Sequence, residues 1–300
     1  MHNINFQQLS TQQALAIADG LAQAEHYDLA AQAYRSLLRA ATAADQVRIR
    51  VRLGLAQAPK ARTPAMLSTL HTLEAGLSGV FVGECLATWE KTLPFFEDAR
   101  FIELADRHAD LLPVPNWHWN LQTALWAVQK TQGVAGDFVE LGVFKGHTTL
   151  FCAEYVGFAD WPKRWFLYDT FDGIPEDQLD EGWAEKNKAV YSESYSFEEV
   201  RDRFAQMPNV TVVQGRVPEV LADTSPERIA FLHVDLNNST AEVQALDVLF
   251  DRVTSGGVIL FDDYGWLSSR AQRDAERAWF AARGLHILSL PTGQGLFIKD

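Results

Sequence analysis

Apolar positions along the chain follow two different rhythms. From Thr11 to about Ala58 they recur at helical spacing. Within Tyr27–Leu38, Ala30, Tyr34, Leu37 and Leu38 stand at i, i+4, i+7 and i+8, which makes one apolar face of a helix. Alanine-rich segments at 12–24 and 41–57 predict further antiparallel helices on either side. A looser stretch, roughly 76–115, ends in Leu112-Pro113-Val114-Pro115, which reads as a boundary.

Beyond that boundary a helix over about 117–132 leads into short apolar runs bounded by turn residues. The predicted strands are Asp137–Val143, Arg164–Thr170, Val210–Gln214, Ile229–Leu236, Gly257–Asp262, Leu285–Leu290 and Gly295–Lys299. Helical patterns near 147–156, 197–206, 216–223, 239–253 and 268–283 separate most of them. Such alternation predicts an α/β fold with a mostly parallel sheet covered on both faces. The last two runs are joined by Pro291-Thr292-Gly293-Gln294 alone, too short for a crossover helix, so they must form an antiparallel hairpin. Seven strands ending in such a hairpin differ from an ordinary dinucleotide-binding sheet.

Composition narrows the function. The net charge of −13 lacks the basic footprint that a nucleic-acid backbone requires. The acidity is concentrated after residue 115, where 16 Lys/Arg face 27 Asp/Glu, against 10 and 12 before it. No apolar run is long enough to span a bilayer, and Met1-His2-Asn3-Ile4-Asn5 has no signal-peptide character. Cys85 and Cys152 are too few for a disulfide framework or a cysteine zinc site. These features predict a cytoplasmic protein without a membrane or nucleic-acid partner.

The candidate chemistry lies at the ends of the predicted strands. In Asp137-Phe138-Val139-Glu140-Leu141-Gly142-Val143-Phe144-Lys145-Gly146-His147, an apolar strand carries a carboxylate near its end, turns at glycines and enters a helix. The Gly142-x-x-x-Gly146 spacing is not that of dinucleotide binders, and Glu140 would repel a pyrophosphate while suiting a cation such as a sulfonium with its amino group. The second strand ends in Asp169, placed to accept hydrogen bonds from ribose hydroxyls. The third ends at Gln214-Gly215, where an adenine would lie. Asp235 near the end of the fourth strand and Asp262-Asp263 closing the fifth should converge on one sheet edge. Carboxylates so close repel one another unless a proton or cation intervenes, and hard oxygen donors favour magnesium. The alternative is that Asp262 and Asp263 cap the next helix and Asp235 shapes a turn. Strand alternation puts His233 on the face of Asp235, lining the site or sitting satisfied in the core. His147 opens the first helix beside the expected ligand. Between Phe171 and Glu199, nine acids and two lysines are interleaved with Trp183, Tyr191 and Tyr195, as in a flap over an acceptor or a solvated loop.

Val139–Gly146, Tyr168–Pro175, His233-Val234-Asp235 and Asp262-Asp263-Tyr264, in that order, resemble the macrocin O-methyltransferase (TylF-type) family of class I S-adenosylmethionine-dependent methyltransferases. The resemblance covers about residues 117–300. It implies a Rossmann-like seven-stranded sheet, S-adenosylmethionine at the first two strand tips, magnesium on Asp235, Asp262 and Asp263, and methylation of a sugar hydroxyl on a natural product. One departure stands out. Many relatives carry Asp-x-Asp-Leu-Tyr at the end of the fourth strand, whereas this chain reads His233-Val234-Asp235-Leu236-Asn237. Residues 1–115 have no clear counterpart in the family. Their Tyr27–Tyr34 run is similar to half of a tetratricopeptide unit without a second copy, and they are read as a dimerisation or acceptor-docking module.

The reading is an O-methyltransferase in which an acceptor hydroxyl binds near magnesium and Asp235 or His147 removes its proton before in-line attack on the sulfonium methyl. Its rivals are an oxidoreductase using a nicotinamide cofactor and a non-catalytic helical interaction protein with a degenerate nucleotide fold. Calorimetry separates them. S-adenosylmethionine is expected to bind the wild type and to be lost in Glu140→Ala, whereas NADH binding would favour the oxidoreductase.

Overall fold

The computed structural model describes residues 10–38, 41–57, 81–83, 86–112, 116–181, 187, 191 and 195–300. Pro113, Val114 and Pro115 of the expected boundary and Trp183 of the expected flap lie outside the described residues. The chain divides into two compact units, Met1–Trp119 and Asn120–Asp300.

The first unit opens with three helices, α1 (Thr11–Gln23), α2 (Tyr27–Leu38) and α3 (Ala43–Gln57). Ser10 and Gln13 cap the start of α1 reciprocally, satisfying amides that would otherwise lack partners. Ala30, Tyr34 and Leu37 of the predicted face are buried. The Tyr34 hydroxyl donates to Asp19 at 2.7 Å and Arg52 pairs with the same carboxylate at 3.0 Å, so one acid of α1 fastens both following helices. Within the looser stretch lie a short antiparallel pair, β1 (Phe81–Gly83) and β2 (Leu86–Thr88), and helices α4 (Pro94–Glu97) and α5 (Ala99–Arg107). Strands of three residues are too short to show periodicity in the sequence. His118 is packed among Phe81, Phe95 and Phe101, where burial and the Arg50 charge lower its pKa to about 3.

The second unit is built on a seven-stranded sheet. Helix α6 (His118–Lys130) precedes β3 (Asp137–Leu141), and α7 (His147–Val156) links it to β4 (Trp165–Asp169). Then follow α8 (Phe197–Arg203), β5 (Val210–Gln214), α9 (Leu221–Thr224), β6 (Ile229–Val234), α10 (Ser239–Leu249) and β7 (Val253–Phe261). Helix α11 (Arg270–Ala281) leads to the terminal strands β8 (Leu288–Ser289) and β9 (Gly295–Ile298). The strand order is β5-β4-β3-β6-β7-β9-β8, parallel from β5 through β7, with β9 antiparallel to both of its neighbours. The expected hairpin is therefore present. Strand β7 begins earlier than predicted. Thr254-Ser255-Gly256-Gly257 reads as a turn, but it forms an irregularity in which the register moves from Ile229↔Val253 to Phe231↔Val258.

Register divides the sheet into two unlike faces. One face carries Val139, Leu141, Phe166, Tyr168, Leu232, Val234, Ile259 and Phe261, which pack with Leu221, Leu246, Leu249, Trp279 and Phe280 of α9, α10 and α11 in one apolar core. The other face begins at the strand starts with Phe138, Trp165 and Phe231, whose rings lie 5.2 and 5.6 Å from that of Phe138. Toward the strand ends the same face turns polar, through Glu140 and its cross-strand partner His233 to Asp169, Asp235 and Asp262 at the tips. Greasy floor and acidic rim are thus consecutive positions of one period-2 pattern.

Gly142 makes this rim compact. Its φ of +81° lies in the left-handed region, and a Cβ there would sit 1.9 Å from the Asp235 carbonyl oxygen. Gly284 has a similar φ of +71° with nothing within 4 Å of a Cβ, so it isolates the backbone contribution. Gly142→Ala is expected to lose roughly 2–5 kcal/mol, combining overpacking of about 1–3 with left-handed strain of about 1–2. Gly284→Ala should lose about 1–2 kcal/mol. Urea denaturation of both variants checks this, and equal losses would contradict the close strand approach.

Candidate active site

Hydrogen bonds of the β3 and β4 turns set the first part of the site. The Asp169 carboxylate accepts the amide hydrogens of Val143 at 2.7 Å and Phe144 at 2.9 Å on one oxygen. Its other oxygen accepts from the Phe171 amide at 2.8 Å and the Tyr195 hydroxyl at 3.3 Å. Burial raises its pKa, and the three amides oppose that rise. Asp169 therefore shapes the turn after β3. Phe144, at the crest of that turn, meets the ring edges of Tyr195 at 4.8 Å and Tyr191 at 5.6 Å.

The second part is a buried polar row. Glu140 is 2% exposed; its Oε2 accepts from the Thr149 hydroxyl of α7 at 2.6 Å, and its Oε1 lies 2.9 Å from His233 Nδ1. The opposite nitrogen of His233, Nε2, faces Asp262 Oδ1 at 3.7 Å, an ion-pair distance longer than a hydrogen bond. That same Asp262 oxygen accepts from Gln294 Nε2 at 3.0 Å, which ties the hairpin loop to the rim. Burial alone would lower the His233 pKa, but Asp262 and Glu140 outweigh it and hold the ring well above the ordinary range.

Asp235 stands beside this row. Its amide donates to Leu141 O and the Asp262 amide to Val234 O, so the strand ladder continues past the strand ends and sets the tips side by side. Asn237, at a φ of +58° that asparagine tolerates, donates from Nδ2 to Asp235 Oδ1 at 2.9 Å. Burial first, then the charges of Asp262 and Asp263, push the Asp235 pKa well up, while His233 draws it down. Tyr191 faces the same acids. Its pKa is raised by burial and then by Asp235, Asp263, Asp169 and Asp262.

A pair of buried acids supports the loop after Asp235. Glu242 of α10 accepts from the Leu236 amide and from Gln272 Nε2, both at 3.0 Å, and it is coupled to Glu276 of α11. Both carboxyls are fully buried and both are raised, Glu242 well up and Glu276 to about 7, with burial as the chief cause. The pair keeps a proton where two free carboxylates could not coexist. Asp180 caps the same helix, accepting from the Ser239 amide at 2.8 Å and hydroxyl at 2.6 Å.

The residues expected from sequence are distributed unevenly. Glu140, Asp169, Asp235, Asp262 and Asp263 come together. His147 is the buried first residue of α7, with Nδ1 3.3 Å from the Thr148 hydroxyl. The missing Cβ atoms of Gly142 and Gly146 leave room for the Asp235 backbone and the Phe204 ring. Gln214 is exposed and donates to the Thr170 carbonyl at 3.2 Å. Thr149, Gln294, Asp180, Glu242 and Glu276 were not anticipated, because no local motif marks a contact made between distant elements.

The donor set fits S-adenosylmethionine: an acidic rim beside Phe144, Tyr191 and Tyr195 suits a sulfonium and an ammonium, and Asp169 already accepts a hydroxyl hydrogen as it would from a ribose. Asp235, Asp262 and Asp263, the expected magnesium ligands, stand side by side at the ends of β6 and β7. Among the described residues no three His, Cys, Asp or Glu side chains are arranged to hold a metal ion. One oxygen of Asp235 is taken by Asn237 and one of Asp262 by Gln294, with His233 facing the latter.

Sheet order and terminal hairpin define a class I methyltransferase. The solved O-methyltransferase NovP has this fold, with a TM-score of 0.52 and 22% identity over 60% of this chain and 79% of that one. The family model for macrocin-O-methyltransferase (TylF) matches residues 118–286, and the chain belongs to that family of S-adenosylmethionine-dependent O-methyltransferases. Among curated proteins, it is 27% identical over 191 residues to the 8-demethyl-8-(2,3-dimethoxy-alpha-L-rhamnosyl)-tetracenomycin-C 4'-O-methyltransferase of Streptomyces olivaceus, covering 59% of this chain and 70% of that one. It is 29% identical over 143 residues to the mycinamicin III 3''-O-methyltransferase of Micromonospora griseorubida, covering 44% and 56%. No helix among the described residues is long and apolar enough to cross a membrane.

The raised Glu276 carboxyl makes stability depend on pH. The folded state keeps a proton that the unfolded chain releases near 4.5, so this contribution is full below that pH and is lost as pH rises through about 7. Glu276→Gln should flatten that decline by an amount on the order of 3 kcal/mol. Urea unfolding of both proteins between pH 4.5 and 8 measures it, and parallel curves would contradict the buried proton.

Proposed function

We propose that this O-methyltransferase methylates a hydroxyl of a deoxysugar carried by a natural product, with Asp235 taking the hydroxyl proton. The supporting observation is the position of Asp235 on the acidic rim, where burial, Asp262 and Asp263 raise its basicity. The two curated relatives are named for methylating sugar positions of a tetracenomycin and a mycinamicin, which favours the sugar acceptor.

In this reading the donor lies over the tips of β3, β4 and β5. Asp169 holds the ribose, its hydroxyl-accepting oxygen released by Tyr195, and Gln214 borders the adenine. S-adenosylmethionine, when bound, supplies an electrophilic methyl group. Tyr191 and Tyr195, edge-on to Phe144, exclude water from the methyl's path. Glu140 acts through His233 and Thr149, since its carboxylate is already engaged by both. Asn237 orients the Asp235 carboxylate toward the acceptor hydroxyl. His147 lines the donor side at the start of α7. Residues 116–300 carry the chemistry.

Asp235→Asn is expected to lower kcat by about 10²–10⁴ while S-adenosylmethionine affinity stays within about threefold. His147→Ala should retain turnover within about tenfold. Transfer of a labelled methyl group to TDP-rhamnose and to rhamnosylated aglycones provides the assay. Full activity of Asp235→Asn, or its loss in His147→Ala alone, would transfer the base to another residue.

A further inference from the structure

Asp169 is a fully engaged acceptor. A carboxylate offers about four lone-pair positions on its two oxygens. The Val143 and Phe144 amides take those of one oxygen at 2.7 and 2.9 Å, and the Phe171 amide and Tyr195 hydroxyl those of the other at 2.8 and 3.3 Å. A ribose hydroxyl that donates to Asp169 must therefore replace one of these four.

We propose that the Tyr195 hydroxyl is a resident stand-in for a ribose hydroxyl, which holds the nucleoside seat on Asp169 until the donor exchanges with it. The inference rests on the S-adenosylmethionine-dependent reading above and adds to it a built-in competitor that sets donor affinity.

Geometry separates the three amides from the hydroxyl. Phe144 and Phe171 stand at φ of +49° and +55°, a region that bulky side chains seldom enter. Both turns carry this strain with their amides aimed at one carboxylate, so those bonds belong to the shape of the turns themselves. The Tyr195 bond is of another kind. At 3.3 Å it is the longest of the four, well beyond the roughly 2.5–2.7 Å of a charge-assisted bond between a hydroxyl and a carboxylate. It is also the one made by a side chain, which can turn away while the backbone stays.

The surroundings let the hydroxyl leave without moving the chain. The Tyr195 ring stands edge-on to Phe144 at 4.8 Å and Phe171 at 5.9 Å, contacts that hold the ring and ask nothing of its hydroxyl. Ser196, the next residue, caps α8: its hydroxyl accepts from the Glu199 amide at 3.3 Å, and its amide donates to Glu199 Oε2 at 3.0 Å. The backbone is thus pinned beside the tyrosine, and the exchange needs a side-chain rotation alone. Tyr191 is anchored separately. Its amide donates to the Asn187 carbonyl at 2.9 Å, and the Asn187 side chain binds the amide and carbonyl of Ile174 at 2.8 and 2.9 Å. Tyr191 therefore keeps its place against Phe144 when Tyr195 gives way.

Calorimetry on the full chain compares binding of S-adenosylmethionine and S-adenosylhomocysteine to the wild type and to Tyr195→Phe, which keeps the ring and deletes the hydroxyl. With the competitor gone, both ligands should bind about tenfold more tightly. A hydroxyl that only braced the turn would give the opposite, because its loss would loosen the seat. Should Tyr195→Phe fail to fold, Tyr195→Leu deletes the same hydroxyl and carries the same expectation. A second readout is fluorine NMR of protein labelled with 3-fluorotyrosine, the Tyr195 resonance being identified by its absence in the variant. That resonance should shift with S-adenosylhomocysteine and with adenosine, and stay in place with 2′,3′-dideoxyadenosine, which has no hydroxyl to exchange. Unchanged or weaker binding by the hydroxyl-free variants would overturn the proposal, as would a Tyr195 resonance unmoved by saturating S-adenosylhomocysteine. If neither the wild type nor the variants bind either ligand, the S-adenosylmethionine-dependent reading fails, and the proposal with it.

Discussion

The hydrogen bond between Glu140 and His233, 2.9 Å long and sealed inside the sheet, is the interaction on which the site depends. Both side chains are 2% exposed. The Thr149 hydroxyl matches the other oxygen of Glu140, while His233 Nε2 faces the Asp262 carboxylate at 3.7 Å. Loss of either member would leave an uncompensated buried charge, a penalty of about 3–5 kcal/mol in comparable cases. Its position matters as much as its strength. Below it the face is a cluster of aromatic rings; above it are the carboxylates of the strand tips. The pair is where a packing surface becomes a reactive one.

The opposite face makes that arrangement affordable. There the strands alternate into branched aliphatic and aromatic residues that pack against α9, α10 and α11, a continuous apolar core that carries the stability of the unit. Because the two faces are set by successive residues of the same strands, a polar row can be added on one side without opening the core on the other. The rim is then braced from outside the sheet. Gln294 comes from the hairpin, Glu242 and Glu276 from the two long helices, and Asp180 from the segment after β4. Gln294 holds the Asp262 carboxylate and Glu242 the Leu236 amide, Glu276 backs Glu242 and Asp180 caps α10, so the rim is held by elements far apart in sequence.

Much of the architecture was legible because it rests on local pattern. Val210–Gln214 and His147–Val156 were bounded correctly by apolar runs and turn residues alone. The hairpin followed from the length of Pro291–Gln294. Strand tips bearing acids placed Glu140, Asp169, Asp235, Asp262 and Asp263 together, since parallel strands align their ends. What escaped was whatever depends on register. Nothing in Asp137–Leu141 or Ile229–Val234 says that Glu140 stands opposite His233 rather than a residue away, and a one-residue slip would send the side chains to different faces. The early start of β7 was hidden by Gly256-Gly257, and the burial of Glu242 and Glu276 by an acidic look that usually marks a solvated helix face. The glycines were recognised, but a neighbouring strand's backbone as one reason for them was not. Gly142 is needed for the approach of Asp235's backbone, a contact between strands distant in sequence.

The state of the His233 ring decides how the buried polar row is held, and nitrogen NMR reads that state directly. In protein labelled with 15N-histidine, the His233 signals can be assigned by their absence in His233→Gln. Both ring nitrogens are predicted to show imidazolium shifts at neutral and mildly alkaline pH in EDTA, with Nδ1 coupled to a slowly exchanging proton shared with Glu140. A single neutral tautomer at neutral pH, with one nitrogen carrying a bare lone pair, would contradict it.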